Sequence, residues 1–105
     1  MKLIIPSECQ VINRQYSIKF SENMLRSADA RAQADHLMEV IRLSKERTDT
    51  QKFEGLIHEA IECVNDCINL DMQHEAITTL APILAQFLAS LGIEPDFSQV
   101  QEEKI

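Results

Sequence analysis

The chain has 105 residues, which is enough for one domain with a modest core and too few for two. A hydrophobic content of 45% with a charged content of 26% is typical of a folded protein and excludes a disordered chain. The net charge of −7 is uneven, since residues 1–52 hold nine Lys/Arg against seven Asp/Glu and residues 53–105 hold one against ten. We therefore expect no nucleic-acid partner, because binding phosphates needs clustered Lys and Arg.

The chain shows no sign of export or of membrane insertion. Its start, MKLIIPSE, is too short for a signal peptide, and no stretch approaches the length of a membrane span. The three cysteines are an odd number without the pattern of a disulfide scaffold. These features predict a cytoplasmic protein without a membrane partner. Cys63 and Cys67 lie four residues apart and suit either a soft metal site or, more commonly, small core positions.

The first twenty residues predict β-structure. KLII is apolar and is followed by Pro6, and in YSIKF the residues Tyr16, Ile18 and Phe20 alternate with polar ones. NRQ at 13–15 separates CQVI from YSIKF as a candidate turn, so we expect a β-hairpin.

The segment from Ser21 to Arg47 gives conflicting signals. Its Ala, Met, Leu and Arg residues favour a helix. LMEVIRL at 37–43 alternates as a strand does, however, and periodicity alone leaves residues 21–36 open between loop and helix.

Two helices are predicted in the second half of the chain. Thr48 and Gln51 form a capping box that starts the first helix. Apolar residues at helical spacing then mark one arc, which comprises Phe53, Leu56, Ile57, Ala60, Ile61, Val64 and Ile68, and the opposite arc comprises His58, Glu59, Glu62 and Asp66. The last helix is expected from about Asp71 to Leu91, with a kink at Pro82, and Gly92 ends it. We therefore expect one domain over residues 1–92 and a polar tail over 93–105.

The tetrapeptide HEAI occurs twice, at 58–61 and at 74–77. His58 and Glu62 are four residues apart, so their side chains share a helical face and both can reach one metal ion. Glu59 points about 100° around the helix, beside that ion rather than at it, where it would take a proton from a metal-bound water. This is the logic of the HExxH metallopeptidases, with Glu62 in place of the second His. The same residues are also ordinary on the exposed arc of an amphipathic helix.

A metal site needs a third protein ligand, which His74 would supply, with Glu75 as its substitute. If the first helix continued unbroken to Leu70, Glu62 would lie about 12 Å from its end and His74 would not reach it. We therefore expect the helix to stop near 65–66, CINLDM to return as an extended segment, and Asp71 to cap the next helix. The alternative reading of His74 and Glu75 is a pair of first-turn surface residues.

The chain resembles the small zincin-like metallopeptidases encoded by phages and prophages. The resemblance covers most of residues 3–92, and its specific part is FEGLIHEAIE followed by HEAITTLAPILAQFL. It implies an α+β fold in which a small three-stranded sheet, made of the N-terminal hairpin and an edge strand at 37–43, packs on two main helices. It also implies that an extended peptide pairs with that edge strand.

The resemblance further implies a role for each residue that matches the motif. His58, Glu62 and His74 would bind zinc, with Glu75 as the substitute for His74. Glu59 would be the general base for the metal-bound water that hydrolyses peptide bonds. Two histidines and one carboxylate also suit iron or another divalent ion. Glu62 would make the ion a weaker Lewis acid than the HExxH pattern does. Apart from the resemblance, the position of His36 just before the proposed edge strand suits either an oxyanion stabiliser or an ordinary loop residue.

A different class of function fits the same sequence. The acidic second half would suit a non-catalytic interaction or regulatory protein, such as a phage regulator or inhibitor that docks a basic partner. Such a protein would retain a structural metal or none. Replacing His58 would then matter less than reversing several peripheral charges.

Overall fold

The structure is a computed structural model in which residues 1–21 and 32–103 are described. These residues form an α+β fold, as predicted, with two helices and more strands than the three expected. The elements are β1 Lys2–Ile4, β2 Glu8–Val11, β3 Arg14–Ser21, β4 Ala32–Asp35, β5 Val40–Ser44, α1 Asp49–Ile68, α2 His74–Ser90, β6 Glu94–Asp96 and β7 Gln101–Glu102.

The main sheet has the strand order β2-β3-β5-β4, and β7 pairs with the far end of β3. The predicted hairpin is confirmed, because β2 and β3 pair antiparallel. Its turn lies one residue earlier than the expected 13–15, since Val11 already pairs with Arg14 and Ile12 takes a positive φ of 58°. A second sheet of two parallel strands joins β1 to β6.

The segment 37–43 is wrongly predicted to be the edge strand. Its strand begins at Val40 and lies inside the sheet, parallel to β3 on one side and antiparallel to β4 on the other. Ile41 and Leu43 are completely buried there. β4 is the outer strand next to β5, while β2 is the outer strand at the opposite edge. The open segment 21–36 therefore includes a strand at 32–35, and its residues 22–31 lie outside the described part of the chain.

Helix α1 lies between the sheet and α2. The capping box is confirmed, because the backbone N–H of Gln51 donates to the Thr48 hydroxyl and the backbone N–H of Thr48 donates to the side-chain oxygen of Gln51. The expectation that Glu59 lies on a solvent-facing arc is wrong, since Glu59 is only 8% exposed. A helix covered on two sides has no single apolar arc, and the line through Glu59 and Cys63 faces inward.

Helix α2 forms an outer layer that packs on α1. It begins at His74 after Gln73, so the predicted start at Asp71 is wrong, and Asp71 instead takes a positive φ of 59°. The helix continues through Pro82 to Ser90. Neither described helix is long and apolar enough to cross a membrane.

The residues after α2 take part in the fold rather than forming the expected polar tail as far as Glu103. β6 pairs with β1, β7 pairs with β3, and Phe97 and Val100 are buried in the core. The Glu103 carboxylate accepts a hydrogen bond of 2.8 Å from Arg42 of β5. Phe97 and Val100 are only two hydrophobic residues, which is too few to give a periodic signal in the sequence.

Truncation of Phe97 tests this assignment. We expect Phe97→Ala to lower the free energy of unfolding by about 3 kcal/mol, because the ring leaves a cavity in a packed core. Urea unfolding followed by circular dichroism measures the change. Gln101→Ala, at an exposed position of β7, is the control and should change the stability by less than about 0.5 kcal/mol. Equal stability of the two variants would mean that the segment is a tail after all.

Candidate metal centre

The structure brings together the three side chains that the sequence proposes as metal ligands. One donor atom each from His58, Glu62 and His74 lies within 4.8 Å of the other two. The Nδ1 atom of His74 is 3.5 Å from Oε2 of Glu62, and the two imidazole rings meet edge to face at 5.1 Å between centroids. Two separate helices therefore deliver two imidazoles and one carboxylate to a common point.

His74 reaches this point by a different route from the one predicted. Helix α1 does not stop near residue 65 but continues to Ile68, and Asn69 reverses the chain in the left-handed conformation at φ 56°. Ile68 lies about 9 Å along the axis from Glu62. The five residues 69–73 can span up to about 16 Å when extended, which is enough to bring His74 back to the level of Glu62.

The side chain of Asn65 holds the returning segment against α1. Its Oδ1 accepts the Met72 N–H at 2.9 Å, and its Nδ2 donates to the Met72 carbonyl at 3.1 Å. Asn65 is thus a bracket within the helix rather than the residue that ends it. Because Met72 is two residues before His74, this pair of hydrogen bonds sets where α2 begins.

The donor set fits a zinc ion. Bonds of about 2.0–2.2 Å at tetrahedral angles place ligand atoms roughly 3.3–3.6 Å apart, which matches the His74–Glu62 distance and requires the widest pair to close by about 1 Å. Two histidines and one carboxylate are an established ligand set of catalytic zinc and of non-haem iron. The exposed Glu75 is not part of the cluster, so the geometry favours His74 over its substitute.

Burial lowers the pKa of the His58 imidazole, and the Glu62 carboxylate opposes this effect while His74 adds to it. A neutral imidazole is the form that binds a metal ion. The neutral form of the His58 imidazole is therefore favoured.

Glu59 lies beside the cluster but outside it. Its Oε1 atom is 4.0 Å from Nε2 of His58, and its carboxylate accepts a hydrogen bond from the backbone N–H of Ala34 in β4. Burial, together with the nearby Glu62 carboxylate, raises the pKa of Glu59 to about 7. The structure therefore holds a buried carboxyl that exchanges a proton near neutrality, next to the three candidate ligands.

The three remaining sequence candidates, Cys63, Cys67 and His36, lie outside the described metal cluster, and Cys63 alone of these three is completely buried. Cys63 is completely buried and forms a hydrogen bond with Tyr16, so it is a core residue rather than part of the described metal cluster. Burial also raises the pKa of Tyr16 to about 12. His36 contacts the same tyrosine, with Nδ1 3.0 Å from the hydroxyl. The role of His36 as an oxyanion stabiliser stays a prediction.

Two contributors to the site escaped the sequence analysis. The Ala34 N–H carries no side-chain signal, and Asn65, as a poor helix former, predicts a helix end rather than a contact with the returning segment. A polar residue on the inner side of a helix just before a short return would have been the only available sign of the bracket.

Comparison of the chain with protein-family models, with curated proteins and with solved structures finds no match. The resemblance to the phage zincin-like family therefore stays a prediction. The case for a function depends on the geometry of the site alone.

The bracket predicts a measurable loss of stability. Asn65→Ala leaves the Met72 N–H and carbonyl without their partners, and we expect the free energy of unfolding to fall by about 1–3 kcal/mol. Urea denaturation of the metal-free protein measures it. Asp66→Ala, at the exposed neighbouring position, is the control, and an equal effect of both variants would contradict the bracket.

Burial of Glu59 predicts a dependence of stability on pH. Because the pKa is raised from 4.5 to about 7 on folding, the stabilisation by protonated Glu59 is complete below pH 4.5 and is lost as the pH rises through 7. Glu59→Gln cannot ionise and can still accept the Ala34 hydrogen bond. We expect this variant to be more stable than the unmodified chain by up to about 3 kcal/mol at pH 8, and equally stable at pH 4, in thermal unfolding of metal-free protein.

Asp66→Asn provides the matched control, since it removes an exposed carboxylate from the same helix. Its stability relative to the unmodified chain should stay within about 0.5 kcal/mol at both pH values. If Glu59→Gln brings no gain at pH 8, the Glu59 carboxylate is not held in a buried environment.

Proposed function

We propose that the chain is a zinc-dependent peptidase in which His58, Glu62 and His74 hold the ion. The observation that carries the proposal is the convergence of these three donors, from two helices, next to the buried carboxyl of Glu59. Perturbed carboxyl groups beside clustered ligands are typical of catalytic sites. The resemblance to phage zincin-like proteins supports the same reading.

Each component has a chemical task in this proposal. A bound zinc ion would act as a Lewis acid that polarises a water molecule and the substrate carbonyl. Glu59 would accept the proton of that water and pass it to the departing amine, for which a pKa near 7 is well suited. The Ala34 N–H fixes the orientation of the Glu59 carboxylate during these transfers.

The outer strand β4 is the proposed substrate platform. One side of β4 pairs with β5, and the hydrogen bond from Ala34 to Glu59 shows that its other side faces the candidate site. An extended peptide would pair with the backbone groups of β4 other than the Ala34 N–H, which stays on Glu59, and carry a peptide bond past that carboxylate. The substrate strand thus pairs with residues 32–35 rather than with 37–43.

The proposal predicts zinc binding that depends on the three ligands. We expect the purified chain to bind one zinc ion in isothermal titration calorimetry, and His58→Ala, Glu62→Ala and His74→Ala each to weaken binding by at least about 10-fold. Glu59→Gln should bind zinc normally but cleave a quenched-fluorescent peptide library about 10²–10⁴-fold more slowly. Glu75→Ala is the matched control for His74→Ala, because Glu75 is exposed and lies outside the cluster.

The outcomes separate the candidate functions. Zinc binding with cleavage that disappears in Glu59→Gln supports the peptidase. Zinc binding without cleavage indicates a structural metal. A chain that binds no zinc, and whose stability does not respond to chelators, contradicts the proposal and leaves the acidic interaction protein.

A further inference from the structure

Helix α2 has an apolar arc that is about twice as wide as the part covered by α1. At about 100° per residue its apolar side chains cover roughly 200°, and Ile77, Ala81 and Ala85 bury one half of that arc. The other half is a stripe of large exposed side chains, which we call the α2 stripe: Leu80 37%, Ile83 55%, Leu84 36%, Phe87 58% and Leu91 62% exposed. A contiguous apolar stripe of this size on a small protein marks an interaction surface.

The charge around the α2 stripe limits what can cover it. Residues 76–93 contain no charged side chain, and no Lys or Arg occurs from Phe53 to Glu103. A helix that lies on a membrane surface or binds nucleic acid needs Lys and Arg beside its apolar face. An uncharged stripe is, in contrast, a surface across which two copies of a chain with net charge −7 can approach with little repulsion.

We propose that the α2 stripe is the interface of a homodimer in which two α2 helices pack antiparallel about a two-fold axis. Leu80, Leu84, Phe87 and Leu91 are spaced by four, three and four residues, which is the seam of a coiled coil. This spacing is symmetric about its own midpoint. In an antiparallel pair Leu80 of one copy therefore faces Leu91 of the other, and Leu84 faces Phe87, which is the self-complementary arrangement that a two-fold axis requires.

The area of the stripe is adequate for such a dimer. Five large side chains that each expose on the order of 100 Å² supply roughly 500 Å² of apolar surface per copy. A stable interface buries about 800 Å² per partner, of which about 65% is apolar in homodimers. The polar remainder would come from flanking exposed residues such as Thr79 and Ser90.

The dimer leaves both candidate metal centres open. The axis would cross α2 between Leu84 and Phe87, and His74 lies about 17 Å from that point along the helix. Dimerisation and metal binding are therefore independent, and failure of one proposal does not imply failure of the other.

Sedimentation equilibrium of the purified full chain tests the dimer. We expect the unmodified chain to be dimeric at tens of micromolar, and Leu84→Glu/Phe87→Glu to raise the dissociation constant by at least about 30-fold, because it places four carboxylates in the seam. Leu84→Lys/Phe87→Glu should restore the dimer, since each Lys then faces a Glu of the second copy. Gln86→Glu, on the polar side of α2, is the matched charge control and should remain dimeric.

Circular dichroism and thermal unfolding of each variant separate loss of the dimer from loss of folding. A double-Glu variant with the circular dichroism spectrum and cooperative thermal unfolding of a folded chain, but which sediments as a monomer, supports the interface whether or not the chain binds zinc. A monomeric unmodified chain, or a double-Glu variant that remains dimeric, overturns it. A Lys/Glu variant that stays as monomeric as the double-Glu variant overturns the antiparallel pairing.

Discussion

The candidate site depends on the two hydrogen bonds between the Asn65 side chain and the Met72 backbone. A 20-residue helix followed directly by an antiparallel helix would leave His74 near the end of α1, far from Glu62. The five residues 69–73 bring the chain back along α1 from its end to the level of Glu62. The hydrogen bonds between Asn65 and Met72 hold this segment against α1. One amide side chain thus converts two candidate ligands on one helix into a cluster of three candidate ligands.

The second constraint is the burial of Glu59 between α1 and β4. An ionised carboxylate in such a place destabilises the fold at neutral pH, and one backbone N–H from Ala34 only partly offsets this. A hydrophobic or amide residue would pack there without that penalty. Stability therefore gives no reason for Glu59, whereas the proposed proton-transferring role beside the candidate metal centre would.

The sequence predicts well what depends on neighbouring residues. The hairpin, the capping box of Thr48 and Gln51, and the spacing of His58 and Glu62 are local and agree with the structure. The sequence predicts poorly those features that depend on how the sheet and the two helices pack on one another. Glu59 was assigned to solvent because a sequence cannot show that α1 is covered by the sheet as well as by α2.

Strand order and chain return escaped prediction for the same reason. Val40–Ser44 reads as a strand, but only its neighbours reveal that it is interior and that Ala32–Asp35 is the outer strand. Phe97 and Val100 gave no periodic signal because they fill gaps left by elements distant in sequence. Asn65 was interpreted by its helix propensity, although its partner lies seven residues away across a reversal of the chain.

Helix α2 combines two requirements that lie at opposite parts of its surface. Its first residue supplies His74 to the cluster, while small residues on its inner side let it approach α1 closely. Small residues bury little surface, so α2 leaves most of its large apolar side chains outside the contact with α1. A helix attached by a narrow inner stripe leaves an apolar surface that a second copy can cover. The uncharged and self-complementary outer stripe provides for that cover through a second copy, without closing the end of the helix where His74 lies.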